Sequence, residues 1–148
     1  MRRRRTLAIS AVLLSMAWQM GCTAMSASDP DEISLPGTSW LAEDLGGRGV
    51  IDNLQSTLTF ESAERVAGNA GCNRYFGPVT IESERIRFGN LGATRMMCPP
   101  AVMDQEQKLF DALGKAERVG FGPPGIMTLY DAGGAPVARF SRMDAPPE

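Results

Sequence analysis

The sequence predicts a single domain of the α+β class that is mostly β, with a twisted, partly closed antiparallel sheet of about seven to eight strands and one helix packed on it. Sixteen glycines and ten prolines in 148 residues divide the chain into short segments separated by turns. Several of these segments alternate apolar and polar residues, as strands with one buried face do. Only one segment has helical periodicity. The length suits one domain of ordinary size, and no internal repeat is present.

The predicted strands follow one another between residues 39 and 142. The clearest alternation is in LQSTLTFE, where Leu54, Leu58 and Phe60 share one face. The other strands are bounded by glycine- and proline-rich turns, and two of them form a predicted hairpin around residues 83–84. In order, these strands are Ser39–Leu45, Arg65–Ala70, Val79–Glu82, Arg85–Phe88, Glu117–Phe121, Ile126–Asp131 and Pro136–Arg142.

The one predicted helix is AVMDQEQKLFDALG at 101–114, which follows two prolines at 99–100. Proline is favoured in the first helical turn, and Gly114 is predicted to close the helix at its C′ position. The apolar face is interrupted by Gln105 and Glu106. We expect this helix to cover one side of the sheet through Val102, Leu109, Phe110 and Leu113.

Composition and charge exclude several classes of function. The net charge is −2, but four of the fifteen basic residues are Arg2 to Arg5; without them eleven basic residues face seventeen acidic ones, and the chain carries −6. An acidic surface repels phosphate backbones, so nucleic acid is not an expected partner. The chain has no histidine. This excludes the usual Ser-His-Asp and Cys-His nucleophile pairs and removes the commonest transition-metal ligand, so no metal or cofactor is expected.

Residues 1–21 have the layout of a secretory signal peptide. Arg2 to Arg5 form a positively charged start, and Thr6 to Met20 supply a short apolar stretch. That stretch is shorter than the roughly 20 apolar residues that span a bilayer comfortably. We therefore expect this segment to direct export and then to be removed.

Gly21-Cys22 ends the apolar stretch and resembles a bacterial lipobox, in which the cysteine receives a diacylglyceryl group before cleavage on its N-terminal side. The resemblance implies lipid attachment at Cys22. Gln19 departs from the pattern, which usually has leucine at that position. Ordinary cleavage near Ala24 or Ala27, or an uncleaved anchor, are the alternatives.

The segments that flank the domain are predicted to have no regular structure. Residues 22–34 are small, polar and acidic without periodicity, which indicates a flexible tether, and residues 143–148 are predicted to be a disordered tail. Thr23, rather than aspartate, follows the predicted lipid attachment site. By the enterobacterial sorting pattern this favours the outer membrane, facing the periplasm.

Two motifs, GCNRYFG at 71–77 and TRMMC at 94–98, are the most specific in the chain. With SWLAEDL, STLTFE, LFDAL and LYDAGGAPVARF in this order, they resemble the META domain of HslJ-like bacterial envelope proteins. The resemblance covers about residues 35–142. It implies a compact β-rich domain, secreted or lipid-anchored and linked to envelope stress, and it carries over no catalytic residues.

The remaining cysteines have three possible roles. Cys72 lies in GNAGCNRYFG, where the density of glycine and asparagine predicts a turn with positive φ. In an oxidising compartment paired cysteines form disulfides, and if Cys22 carries lipid, Cys72 and Cys98 are left to pair. The alternatives are two buried inert thiols or a reactive thiol beside an arginine, although no histidine is present to act as its base.

A possible partner surface comprises Asn73, Arg74, Tyr75 and Arg95, all in or beside the two specific motifs. Three of these residues also have structural interpretations. Asn73 can hydrogen-bond turn backbone, Tyr75 can pack in the core or at its rim, and Arg95 can pair with a carboxylate. Trp40 is predicted to be a core residue whose indole N–H needs one acceptor.

These observations predict a non-catalytic, monomeric, lipid-anchored protein of the bacterial envelope with a binding or structural role in stress tolerance. Its expected partner is the membrane, and another envelope protein is a candidate partner. A small-ligand binder would need an apolar cavity between helix and sheet.

Two alternatives come from other functional classes. One is a small β-barrel inhibitor or accessory module that docks on an envelope protein, such as a lysozyme or a secretion component, through the turns at 46–49 or 122–125. The other is a hydrolase that uses two carboxylates without histidine, with Glu82 and Glu84 as the candidates. Acids alternating on one strand are typical of a solvated face, so no enzyme is predicted.

Overall fold

The computed structural model describes residues 34–122 and 124–143. The predicted signal peptide, the lipid attachment at Cys22, nearly all of the tether and residues 144–148 of the tail lie outside the described residues. Within them, the chain is mostly β with one helix, and the predicted fold class is confirmed.

The described part of the chain contains nine strands and one α-helix. Strands β1 to β6 precede the helix and strands β7 to β9 follow it. Their bounds are β1 Thr38–Leu45, β2 Thr57–Phe60, β3 Arg65–Asn69, β4 Arg74–Glu82, β5 Arg85–Phe88, β6 Gly92–Ala93, α1 Pro100–Lys115, β7 Arg118–Gly122, β8 Ile126–Tyr130 and β9 Pro136–Arg142.

All nine strands belong to one antiparallel sheet in the order β3-β2-β1-β9-β8-β7-β5-β4-β6, and an additional pairing joins β3 to β4. Strand β4 makes this closure possible because residues 74–78 pair with β3 while residues 79–82 pair with β5. The sheet is therefore partly ring-like. Its thinnest ladder is between β5 and β7, where Arg85 and Arg118 form the single register pair.

Three details differ from the sequence prediction. Strand β4 begins at Arg74, five residues earlier than predicted, because its first half pairs with β3 on one side and with β6 on the other. The additional short strand β6 brings the count to nine. The helix continues through Lys115 and is closed by Ala116 in an extended conformation, so the prediction that Gly114 is the C′ residue was wrong.

The core lies inside the curved sheet and under the helix. Alternate residues of the strands point inward, and helix residues Leu109 and Leu113 are fully buried against them. Trp40 is fully buried, and its indole Nε1 donates to Thr38 Oγ1 at 2.7 Å, which supplies the predicted acceptor. The other large, fully buried side chains are Leu45, Leu58, Phe60, Val66, Tyr75, Ile86, Met127, Leu129 and Phe140.

No helix among residues 34–122 and 124–143 has both the length and the apolar character needed to cross a bilayer.

Candidate functional site

A disulfide between Cys72 and Cys98 ties the turn before β4 to the segment before the helix. The two Cα atoms are 5.9 Å apart and the cysteines are 26 residues apart in sequence. The turn is closed by the Ala70 N–H, which donates to the Asn73 carbonyl at 2.7 Å. Gly71 has φ of +119°, so the predicted need for a positive φ is met by this residue.

Asn73 is 2% exposed and joins three segments of the chain. Its Oδ1 accepts from the Met96 N–H at 2.7 Å and from Thr94 Oγ1 at 2.9 Å. Its Nδ2 donates to the Met96 carbonyl and, at 2.9 Å, to Glu106 Oε1. The sequence left two roles open for this side chain, a place on a possible partner surface and hydrogen bonding to the backbone around the turn. Its burial shows that it holds the 94–96 segment against the turn.

Glu106 and its neighbour Gln105 explain why polar residues interrupt the apolar face of the helix. The Glu106 carboxylate accepts from the backbone N–H of Asn73 at 2.8 Å, in addition to the hydrogen bond from Asn73 Nδ2. Gln105 Oε1 accepts from the Ile51 N–H at 2.6 Å, and its Nε2 donates to Ser56 Oγ at 2.9 Å. Both side chains are buried, and they fix the helix to the loops around residues 51–56 and 73.

Tyr75 is also buried, at 1% exposure, and cannot contribute to a partner surface. Its hydroxyl donates to the Thr57 carbonyl at 2.7 Å, and its ring packs edge-on against Phe110 with centroids 5.5 Å apart. Burial raises the pKa of the Tyr75 phenol. A Cβ on Gly68 would collide with the Thr57 carbonyl and with the Tyr75 ring, so glycine is required there.

The side chains that do reach solvent around these motifs are partly apolar. Met97 is 92% exposed, Met96 is 56% exposed and Phe76 is 52% exposed. Arg74 and Arg95, the other two members of the predicted surface, are exposed as well. These five residues are called the Met96–Met97 surface below.

The segment that carries this surface runs alongside the start of β4. Gly92 is the register partner of Phe76, and the Thr94 N–H donates to the Arg74 carbonyl at 3.0 Å. Within the described ranges, the ion pairs join Glu61 to Arg65, Asp104 to Lys108 and Arg87 to Glu117, so they do not involve the two arginines of the surface. The signal for this surface in the sequence is the pair of adjacent methionines in TRMMC, which stands between a turn and a cysteine.

No arrangement suited to metal binding is found: residues 34–122 and 124–143 contain no group of three or more histidine, cysteine, aspartate or glutamate side chains that could hold an ion. Glu82 ends β4 and Glu84 lies in the turn, separated by Ser83 with φ of +55°, and both carboxylates are exposed. The two acids therefore do not share a strand face, which was the arrangement predicted for a carboxylate pair.

A surface cleft of about 820 Å³ lies across the β5–β7 ladder and is lined mostly by charged residues. A second cleft, of about 260 Å³, lies between the helix and the turn at 46–48, and Arg48, Lys108 and Lys115 line it. Neither is the apolar cavity between helix and sheet that a binder of small apolar ligands would need.

Comparisons with known proteins agree with this architecture. The chain is similar to a protein from Burkholderia xenovorans solved by NMR, with 27% identity, a TM-score of 0.63, and coverage of 75% of this chain and 85% of that one. A second NMR structure is 21% identical, has a TM-score of 0.57, and is matched over 72% of this chain and 90% of that one, which shows a shared fold. The comparison with curated proteins finds no significant match.

A family model described as the META domain matches residues 33–144, close to the boundaries of 35–142 expected from the motifs. This match covers all of the part of the chain that the structure describes. The chain therefore belongs to the META domain family.

Proposed function

We propose that this META protein is a non-catalytic, lipid-anchored protein of the bacterial envelope, which binds another envelope protein through the Met96–Met97 surface and acts in stress tolerance. The observation that carries the proposal is the exposure of Met97, at 92%, on a segment that is fixed at both ends. Asn73 binds the backbone of Met96, and the disulfide holds Cys98.

The fixed backbone is what distinguishes this segment from an ordinary surface loop. A mobile loop loses conformational entropy when it binds, whereas a segment that is already held loses little. Methionine side chains are flexible and polarizable, and they are common on surfaces that bind proteins. Single exposed apolar residues need no explanation, but here two adjacent methionines are exposed on one segment, and Phe76 is exposed on strand β4, which pairs with the start of that segment.

The charges of the surface favour an acidic partner. Arg74 and Arg95 flank the methionines, and the ion pairs among the described residues leave both out. Arg65 lies over the Phe76 ring at 5.6 Å and adds a third positive charge nearby, although Glu61 pairs with it. Positive charges around an apolar centre attract and orient a partner of opposite charge.

Replacing Met96 and Met97 together with serine is expected to abolish crosslinking of the protein to its partner in intact cells. The apolar centre of the surface would be lost, while the hydrogen bonds of the Met96 backbone to Asn73 would remain. The matched control is Ile51→Ser, because Ile51 is an exposed apolar residue elsewhere, at 39% exposure. Crosslinked products are identified by mass spectrometry; unchanged products from a folded double variant would contradict the proposal.

Lipid attachment at Cys22 is proposed from Gly21-Cys22 at the end of the apolar stretch. Cys22→Ser is expected to convert a membrane-fraction protein into an uncleaved precursor or a soluble one, because two or three acyl chains supply the membrane affinity. Fractionation and intact-mass analysis measure this. A wild-type mass without any acyl group would disprove the attachment.

A second candidate function, inhibition of an envelope enzyme, is favoured by the turn at 46–49. The Asp44 carboxylate accepts from the Gly47 and Gly49 N–H groups, each at 2.7 Å, and so fixes a turn that presents Arg48. A rigid exposed turn is the kind of element that can enter an active-site cleft. The crosslinking experiment distinguishes the two functions. If the partner binds through this turn, crosslinking to the partner would be lost in Arg48→Ser and retained in the variant with both methionines replaced.

A further inference from the structure

Four residues form a row across the outer face of the sheet where the β5–β7 ladder is thinnest. Glu82 is the register partner of Arg85, Arg85 is the partner of Arg118, and Arg118 is the partner of Tyr130. Neighbouring Ile86 and Val119 are buried, so the row lies on the solvent side. Two arginines are thus directly opposite each other on adjacent strands.

This arrangement is unfavourable unless a negative charge lies between the arginines. Side chains directly opposite each other in an antiparallel pair have Cβ atoms about 4.5–5.5 Å apart, and like charges there destabilise the sheet. Among the described residues, neither Arg85 nor Arg118 is in an ion pair. The Arg118 guanidinium lies over the Tyr130 ring, 5.0 Å from its centroid, which holds it in place.

The acidic residues of the neighbouring cleft are mostly engaged elsewhere. Arg87 binds Glu117 Oε2 through Nε at 3.0 Å and Nη2 at 2.7 Å. Asp131 Oδ1 accepts from the Gly133 and Ala135 N–H groups, each at 2.9 Å, and so stabilises its own turn. Of the acids that line the cleft, Glu82 is left to offset the opposed arginines.

We propose that this cleft, of about 820 Å³, binds a phosphomonoester group between Arg85 and Arg118. The local charges favour this ligand, because the two guanidinium groups carry +2, Glu82 offsets only part of that charge, and a phosphomonoester carries about −1.5 to −2 at pH 7. Arginine is suited to this ligand, since its planar fork donates two parallel hydrogen bonds to phosphate oxygens. Bound phosphate would also join β5 to β7, where the sheet has its thinnest ladder.

The negative charge of the whole chain does not oppose this site. Net charge disfavours an extended polyanion, but at physiological salt charges more than about 8 Å apart are largely screened. A single phosphate group therefore responds mainly to the arginines in contact with it. The phosphate could belong to a soluble metabolite or to a lipid headgroup, and the same pair of arginines would recognise either.

The test measures thermal unfolding of the full-length protein with inorganic phosphate and, at the same ionic strength, with chloride. Phosphate is expected to raise the unfolding midpoint of the wild type. Arg85→Gln and Arg118→Gln are expected to weaken phosphate binding, measured by calorimetry, by about tenfold or more, because each removes a charged hydrogen-bonding partner. In chloride, both variants are expected to unfold at a higher temperature than the wild type, since the opposed charges are gone.

Arg139→Gln is the matched control, because Arg139 is an exposed arginine of β9 that does not line the cleft. In a second arm the protein is reconstituted into phosphatidylcholine vesicles with or without phosphatidic acid. A rise in midpoint with phosphatidic acid but not with free phosphate would identify a lipid headgroup; a rise with free phosphate would identify a soluble phosphomonoester. No rise in either arm, or equal rises in the wild type and all three variants, would overturn the proposal.

Discussion

Cys72→Ser and Cys98→Ser are each expected to lower the free energy of unfolding by about 3.5 kcal/mol. This value follows from the entropy that a cross-link removes from the unfolded chain when it closes a loop of this length, and the cysteines are 26 residues apart. For a domain of this size the loss corresponds to a fall of roughly 10–20 °C in the unfolding midpoint. Thermal unfolding followed by circular dichroism measures it.

The double cysteine variant supplies the control for this prediction. It should be about as unstable as either single variant, because the second substitution has no bond left to remove. A reducing agent should destabilise the wild type by a similar amount and leave the variants unchanged. Losses that add in the double variant, or a wild type that is insensitive to reductant, would contradict the expectation.

Glu106→Ala is expected to lower the free energy of unfolding by about 2–4 kcal/mol, because it leaves two buried donors of Asn73 without their acceptor. These donors are the backbone N–H and the side-chain Nδ2, at 2.8 Å and 2.9 Å from the carboxylate oxygens. The matched control is Gln107→Ala on the same helix. Gln107 is exposed and hydrogen-bonds to exposed Asp111, so its removal should change stability by less than about 0.5 kcal/mol.

A double-mutant cycle tests whether Glu106 acts through Asn73. If it does, Asn73→Ala combined with Glu106→Ala should lose about 1–2 kcal/mol less than the sum of the two single variants, since the two residues share the same hydrogen bonds. Denaturant unfolding of the four proteins gives the coupling. Strictly additive losses would show that the two side chains stabilise the protein independently.

Local patterns in the sequence predicted most of the secondary structure. The alternation in LQSTLTFE matches β2, in which Leu58 and Phe60 are fully buried, and the turn signals bound the last three strands to within about a residue of their observed limits. The pairing of β3 with β4, which closes the sheet, was harder to predict from the sequence. It depends on β4, whose first half lies in a segment rich in glycine and asparagine and forms a strand because β3 and β6 flank it.

The polar groups of the candidate site were harder to interpret from sequence. Gln105 and Glu106 look like interruptions of an apolar helix face, because their hydrogen-bond partners lie 33 to 54 residues away along the chain. Periodicity within a helix contains no information about such distant partners. Asn73 and Tyr75 kept two interpretations, structural and surface, for the same reason, since their burial depends on the helix packing over the turn.

The ladder between β1 and β9 determines when this chain can fold. It joins the first strand to the last, and the hydrogen bond from Ser141 to Glu43 spans 98 residues. Such long-range pairing carries a loop-closure cost before it yields any stabilisation, so folding is expected to take milliseconds to seconds. Until β9 is available, β1 and β8 each lack a neighbour. A chain threaded through a membrane from its N-terminus would therefore stay unfolded until its C-terminal strand had crossed.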